Sequence, residues 1–262
     1  MKKIKIFQVD AFISDLFKGN PAAVCLLEQW LHDERMQSIA NENNLSETAF
    51  IVRKGDYFEI RWFTPTVEVD LCGHATLASA YVIFNHTDFT ADEIIFHSPR
   101  SGELRVRKDG KKLYLDFPAD EFAQCDHLSE ITKGIGLNPL ELYRGKTDYM
   151  AVLASEEEVL CIQPDFEAIA KLDARGLIVT APGNGVDFVS RFFGPQSGVN
   201  EDPVTGSAHT TLTPYWSAKL GKSELVAKQI SARGGDLHCR NAGSRIFIGG
   251  EAQLFLTGEI CI

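Results

Sequence analysis

The chain has no surplus of basic residues: 26 Lys and Arg stand against 36 Asp and Glu, a formal net charge of -10. Nucleic acid and anionic membranes are recognised largely through positive faces, so neither is expected as a partner. Long apolar runs are missing too, and nothing approaches the roughly 18 residues of a membrane span. After Met1-Lys2-Lys3, the alternation of Ile4, Ile6 and Val9 with polar residues reads as a first strand and not as a secretory signal, so a cytoplasmic location is expected. The six cysteines (Cys25, Cys72, Cys125, Cys161, Cys239, Cys261) form no Cys-x-x-Cys pair, and His74, His86, His97 and His209 fall at no metal-ligand spacing. No metal is therefore expected, and the scattered thiols read as buried side chains and not as disulfides. Gly-x-Ser-x-Gly, Gly-x-Gly-x-x-Gly and Walker loops are absent, which argues against serine-hydrolase, dinucleotide and P-loop chemistry.

What the chain does have is one pattern that occurs twice. Phe63-Thr64-Pro65 runs to Cys72-Gly73-His74-Ala75, and Phe193-Gly194-Pro195 runs to Thr205-Gly206-Ser207-Ala208. Each copy begins where an apolar, strand-like run ends and closes on a glycine that opens a helix-like run, the arrangement of an anion-receiving loop at a helix N-terminus. The spacing from Phe63 to Gly73 is 10 positions and from Phe193 to Gly206 is 13, and the extra length holds Asn200-Glu201-Asp202-Pro203. With 262 residues, 44% of them hydrophobic, the chain can build one large or two ordinary cores. The duplication favours two closely joined lobes, residues 1–120 and 121–262, with a terminal strand that can cross between them and one site shared by both loops.

Strand signals dominate and come as hairpins, one across Asp109-Gly110 and another across Lys54-Gly55-Asp56. The stretch 225–262 continues in the same way, so an antiparallel sheet is expected. Helices are expected over 31–43, 75–84, where the run is apolar on nearly every side, and 208–220, where Pro214 should kink the helix and Gly221 should cap it. A fourth, short helix is expected over 165–172 behind Pro164.

Glu47 stands at the junction between the first helix and a strand, a place from which side chains reach into sites held by rigid neighbours, although a solvated loop glutamate fits as well. Asp202 lies in the insertion of the second loop and serves equally to start a turn. His74 and Ser207 match each other just after Gly73 and Gly206. Either can cap a helix, but an imidazole that titrates near neutrality is the better candidate for chemistry. Backbone N-H groups near the two glycines suit a substrate carboxylate or a developing enolate-like charge.

Gln8-Val9-Asp10-Ala11-Phe12, Gly19-Asn20-Pro21-Ala22-Ala23-Val24, Ser46-Glu47-Thr48, Asp70-Leu71-Cys72-Gly73-His74-Ala75-Thr76 and Glu201-Asp202-Pro203-Val204-Thr205-Gly206-Ser207-Ala208 together resemble the phenazine-biosynthesis PhzF-like isomerase family, over residues 4 to about 220. The resemblance implies an α+β, diaminopimelate-epimerase-like fold of two pseudo-symmetric lobes, each a mostly antiparallel curved sheet wrapped around a central helix, with the active site in the cleft. It implies a cofactor-independent isomerase that moves a proton on a small, cyclic carboxylate. By the same resemblance Glu47 is the acid/base, His74 and Asp202 fix polar groups and tune proton transfer, and Gly73, Gly206 and Ser207 hold the substrate. A homodimer is the form the family leads one to expect. Two alternatives stay open. Epimerases of this fold use one cysteine in each loop, and Cys72 occupies such a position while its counterpart is Thr205. A binding protein for a small carboxylate would keep the loops without needing a base.

Overall fold

A computed structural model describes residues 3–126 and 128–262; Met1, Lys2 and His127 lie outside the described residues. The fold is mixed α+β with a β-rich core, and the chain divides into two compact units, residues 3–116 with 249–262, and 117–248.

The first unit contains β1 (Lys3–Ile13), β2 (Asn20–Leu27), α1 (Asp33–Asn43), β3 (Glu47–Lys54), β4 (Tyr57–Phe63), β5 (Glu68–Val69), α2 (Gly73–His86), β6 (Glu93–Ser98), β7 (Gly102–Asp109) and β8 (Lys112–Pro118), whose last two residues fall in the second unit. β1 is antiparallel to β2, β2 parallel to β3, and β3 antiparallel to β4. β4 is antiparallel to β5 and parallel to β6, which is antiparallel to β7. α1 buries Met36, Ile39 and Ala40 in a cluster with Phe50, Val52 and Phe63. α2 packs against β1, β2, β3 and β7 and buries every residue from Gly73 to Ala80, as expected of a helix apolar all round.

The second unit holds β9 (Ala123–Gln124), α3 (Ser129–Ile135), β10 (Glu141–Arg144), β11 (Asp148–Val152), α4 (Glu156–Cys161), α5 (Phe166–Ile169), β12 (Gly176–Pro182), β13 (Phe188–Gly194), β14 (Val199–Asp202), α6 (His209–Leu220), β15 (Glu224–Gln229) and β16 (Gly235–Asn241). β17 (Arg245–Cys261) begins here, and from Gly249 it belongs to the first unit, where it pairs with β1. The strand order of the first unit recurs. β10 is antiparallel to β11, β11 parallel to β12, and β12 antiparallel to β13. β13 is antiparallel to β14 and parallel to β15, which is antiparallel to β16. The duplicated loop is thus one part of a duplicated pairing scheme: in each unit a strand, a short antiparallel partner and a helix lead back to a parallel strand.

Three sequence expectations need correction. The sheet is not simply antiparallel, because β2 and β3, β4 and β6, β11 and β12, and β13 and β15 run parallel. A helix inserted between two strands carries the chain back to the starting end, so the second strand enters in the same direction as the first. The two loops also differ at their exits. Gly73 is the first residue of α2, whereas Gly206, Ser207 and Ala208 form a turn before α6 starts at His209. The fourth expected helix shrinks to Phe166–Ile169, while α3 and α4 had no counterpart in the expectation.

Candidate active site

Glu47 owes its place to the end of α1. Asn44 closes that helix in the left-handed region at φ 49°, donating its N-H to the Ala40 carbonyl at 3.2 Å, a conformation asparagine tolerates better than most residues. Asn43 Nδ2 then donates to Thr48 Oγ1 at 3.0 Å, and Glu47 opens β3 opposite Ala22 of the parallel strand β2. Its side chain is mostly enclosed, keeping 15% exposure.

Opposite it stands His74, in the first turn of α2 and buried. Its Nε2 lies 3.1 Å from Glu47 Oε2, and the fully buried Asn20, first residue of β2, presents Nδ2 to Nδ1 at 3.1 Å. With the amide so oriented, the ring proton sits on Nε2, the nitrogen nearer Glu47; a doubly protonated ring calls for Asn20 to turn its oxygen toward Nδ1. Cys72, the N-cap of α2, places Sγ 3.5 Å from Nδ1 and 3.9 Å from Nε2 of the same ring. Burial pushes the Cys72 thiol up to about 11, and the neighbouring Glu47 carboxylate adds to the rise. For His74 burial works against the charged form, yet the Cys72 sulfur and the Glu47 carboxylate outweigh it and hold the ring's proton well above the ordinary histidine range.

His74 therefore binds its proton more tightly in the folded chain than in the unfolded one. Its contribution to stability is complete below the unfolded value of 6.5 and is lost as pH rises through the higher folded value. An NMR titration is expected to show the His74 ring losing its proton above the ordinary histidine range in the wild type, with the transition moved to lower pH in Glu47→Gln. His209, fully buried at the start of α6, behaves in the opposite way: burial pushes it down to about 4, and its Nδ1-H donates to the Thr205 carbonyl at 2.9 Å.

The ligand atoms of Glu47, Cys72 and His74 all lie within 4.8 Å of one another, close enough to serve one metal ion. Sequence spacing could not reveal this group, because Glu47 comes from a different element 25 positions before Cys72.

In the second unit the loop residues are pinned from β15. Gln229 is fully buried, accepts from Thr205 N at 2.8 Å and donates through Nε2 to the Asp202 carbonyl at 2.7 Å. Asp202 ends β14, and its Oδ2 accepts from Thr205 Oγ1 at 2.5 Å. Ser207 does not cap α6; its Oγ accepts from Arg175 Nη1 at 2.9 Å. The structure thus groups Glu47 with His74 and Gly73 in the first unit, and Asp202 with Gly206 and Ser207 in the second. Asn20, Arg175 and Gln229 were not singled out from the sequence as site residues. Asn20 carried a signal, as the polar residue opening an apolar strand, and Gln229 carried one as an amide at an inward position of β15. Arg175 carried none.

Residues 9–258 match the sequence profile of the family described as phenazine biosynthesis-like protein. The chain belongs to that family. A Pseudomonas aeruginosa member, named as an uncharacterized isomerase, is 52% identical over 258 residues, which is 98% of each chain. A crystal structure of a phenazine biosynthesis protein of the PhzF family from Enterococcus faecalis superposes with a TM-score of 0.96 at 48% identity, covering 100% of both chains. A probable proline racemase from Agrobacterium radiobacter K84 shares the fold alone, with a TM-score of 0.65 at 10% identity over 99% of this chain and 93% of its own. Among the described residues no helix is long and apolar enough to cross a membrane.

Proposed function

We propose that this chain is a cofactor-independent isomerase that moves a proton between carbons of a small, cyclic carboxylate, with Glu47 as the acid/base. The observation that carries the reading is the 3.1 Å contact between Glu47 Oε2 and the buried His74 Nε2. Relatives named as isomerases and a fold shared with a probable racemase support it. When Glu47 takes a proton from carbon, the carboxylate charge is lost and an equal charge appears on the substrate. The protonated His74 can pair with either, so the net charge of the site is unchanged through the step. The first N-H groups of α2 have no intrahelical acceptors and favour the same negative charge. Glu47 then returns the proton at a second carbon.

The reading retains Asp202, Gly206 and Ser207 as substrate-holding residues. Thiol-based epimerisation is disfavoured on two grounds. The Cys72 thiol is held neutral near pH 7 by burial, and Thr205, in the position of the second thiol, already donates its hydroxyl to Asp202. Cys72→Ser is expected to keep turnover near the wild-type rate on whichever member of a panel of cyclic and amino-acid carboxylates exchanges a proton with D2O. Loss of that exchange in Cys72→Ser would replace this reading with a thiol-dependent epimerase.

A further inference from the structure

Arg175 lies immediately before β12 and is held from three sides. Its Nε donates to Asp148 Oδ1 at 2.9 Å, its Nη2 pairs with Asp148 Oδ2, and its guanidinium carbon lies 5.2 Å from the centre of the Phe192 ring. Asp148 is 3% exposed while the Arg175 side chain keeps 35%, so this is a two-point ion pair anchored on a buried carboxylate with its guanidinium side partly open to solvent. The backbone is fixed as well, with Arg175 N donating to the Thr147 carbonyl at 2.8 Å. The next residue has to be glycine: a Cβ on Gly176 would sit 2.4 Å from Phe192 Cζ and 2.8 Å from the Phe193 carbonyl oxygen. Burial alone would disfavour the charge on Arg175, but Asp148 first, then Asp202 and Asp120, outweigh it and raise its proton affinity.

The remaining arm, Nη1, reaches Ser207 Oγ at 2.9 Å. A guanidinium has no acceptor atom, so the direction of this bond is fixed: Arg175 donates and Ser207 accepts. A serine hydroxyl has one proton, and with a cation bound to its lone pair that proton is turned away from Arg175 and polarised. Ser207 keeps partial exposure on the loop. We propose that Arg175 is a positioning residue that fixes the Ser207 hydroxyl as a hydrogen-bond donor to an anionic oxygen of the substrate, and so sets the site's preference for a carboxylate over a neutral group. The proposal rests on the reading of Ser207 as a substrate-holding residue.

The test is calorimetric binding of benzoate, with benzamide as the neutral probe, to the wild type, Arg175→Lys, Ser207→Ala and the double variant. Lysine keeps the charge beside Asp148 but cannot fork to both Asp148 and Ser207. Each single variant is expected to weaken benzoate binding about tenfold. The double variant should bind no more weakly than Ser207→Ala, because Arg175 acts through that hydroxyl. Benzamide binding should change little. Additive losses, an equal loss for benzamide, or a wild type that does not bind benzoate would overturn the proposal. If Arg175→Lys fails to fold, the neutral pair Arg175→Gln with Asp148→Asn carries the same cycle. Proton exchange with D2O in the wild type and Glu47→Gln reports on the acid/base assignment, while the benzoate cycle, run throughout with Glu47 intact, reports on this proposal, so the two can fail separately.

Discussion

Glu47→Gln is expected to lower the turnover rate by roughly a hundredfold to ten-thousandfold, the range for losing a positioned acid/base. That corresponds to about 3–5 kcal/mol of transition-state stabilisation. The substitution keeps the side chain's size and leaves a carbonyl oxygen able to accept from His74 Nε2, so the geometry of the 3.1 Å contact can survive. What it removes is the atom that takes the proton. KM should stay close to the wild-type value, because the loss falls on the step in which the C-H bond breaks and not on binding. The variant should also fold. Glu47 is one of eight residues in β3, whose parallel register with β2 and antiparallel register with β4 are set by backbone bonds. Steady-state kinetics and a melting curve on the same preparation check both halves of the expectation. An equal fall in kcat/KM arising entirely from KM would assign Glu47 to binding.

Arg191→Met is expected to destabilise the second unit by ~3–5 kcal/mol, the cost of breaking a buried ion pair from one side. Arg191 lies in β13, 9% exposed, and every arm of its guanidinium is used. Nε and Nη2 donate to the two carboxylate oxygens of Glu201 at 2.7 and 3.0 Å, while Nη1 donates to the carbonyls of Val159 and Ile162 at 3.1 and 3.0 Å. Methionine fills much of the volume but leaves two carbonyls without that donor and Glu201 without its counter-charge. Glu201 precedes Asp202 on β14, so a loosened β14 should also raise KM. Denaturant unfolding should show a lower midpoint with an unchanged slope. Adding Glu201→Gln to Arg191→Met should restore part of the loss, because the uncompensated charge is then gone. A variant as stable as the wild type would show that packing alone holds β13 and β14 together.

The two glycine loops and the buried helices behind them were legible because they repeat, and repetition survives where single residues are ambiguous. The hairpin turns at Gly55 and Gly110 were legible because their positive φ values demand particular residues. Parallel pairing was not legible: a strand alternates in the same way whether its partner runs with or against it, and the partner of β4 across α2 begins 30 positions after Phe63. α3 and α4, at seven and six residues, are too short for a helical period to register. In the site, Glu47 and His74 could be singled out one at a time. Their contact could not be read, because it depends on how β3 and α2 pack. The Cys72 thiol beside the His74 ring depends on rotamers at an N-cap, and Arg175 on Ser207 joins residues 32 positions apart with no shared motif.

The central claim is that a carboxylate and not a thiol moves the proton. Deuterium incorporation from D2O into a turned-over carboxylate, followed by NMR with wild-type, Glu47→Gln and Cys72→Ser protein side by side, tests it most directly. The expected result is incorporation by the wild type and by Cys72→Ser at comparable rates, and none above background by Glu47→Gln. Incorporation that persists in Glu47→Gln and vanishes in Cys72→Ser would contradict it.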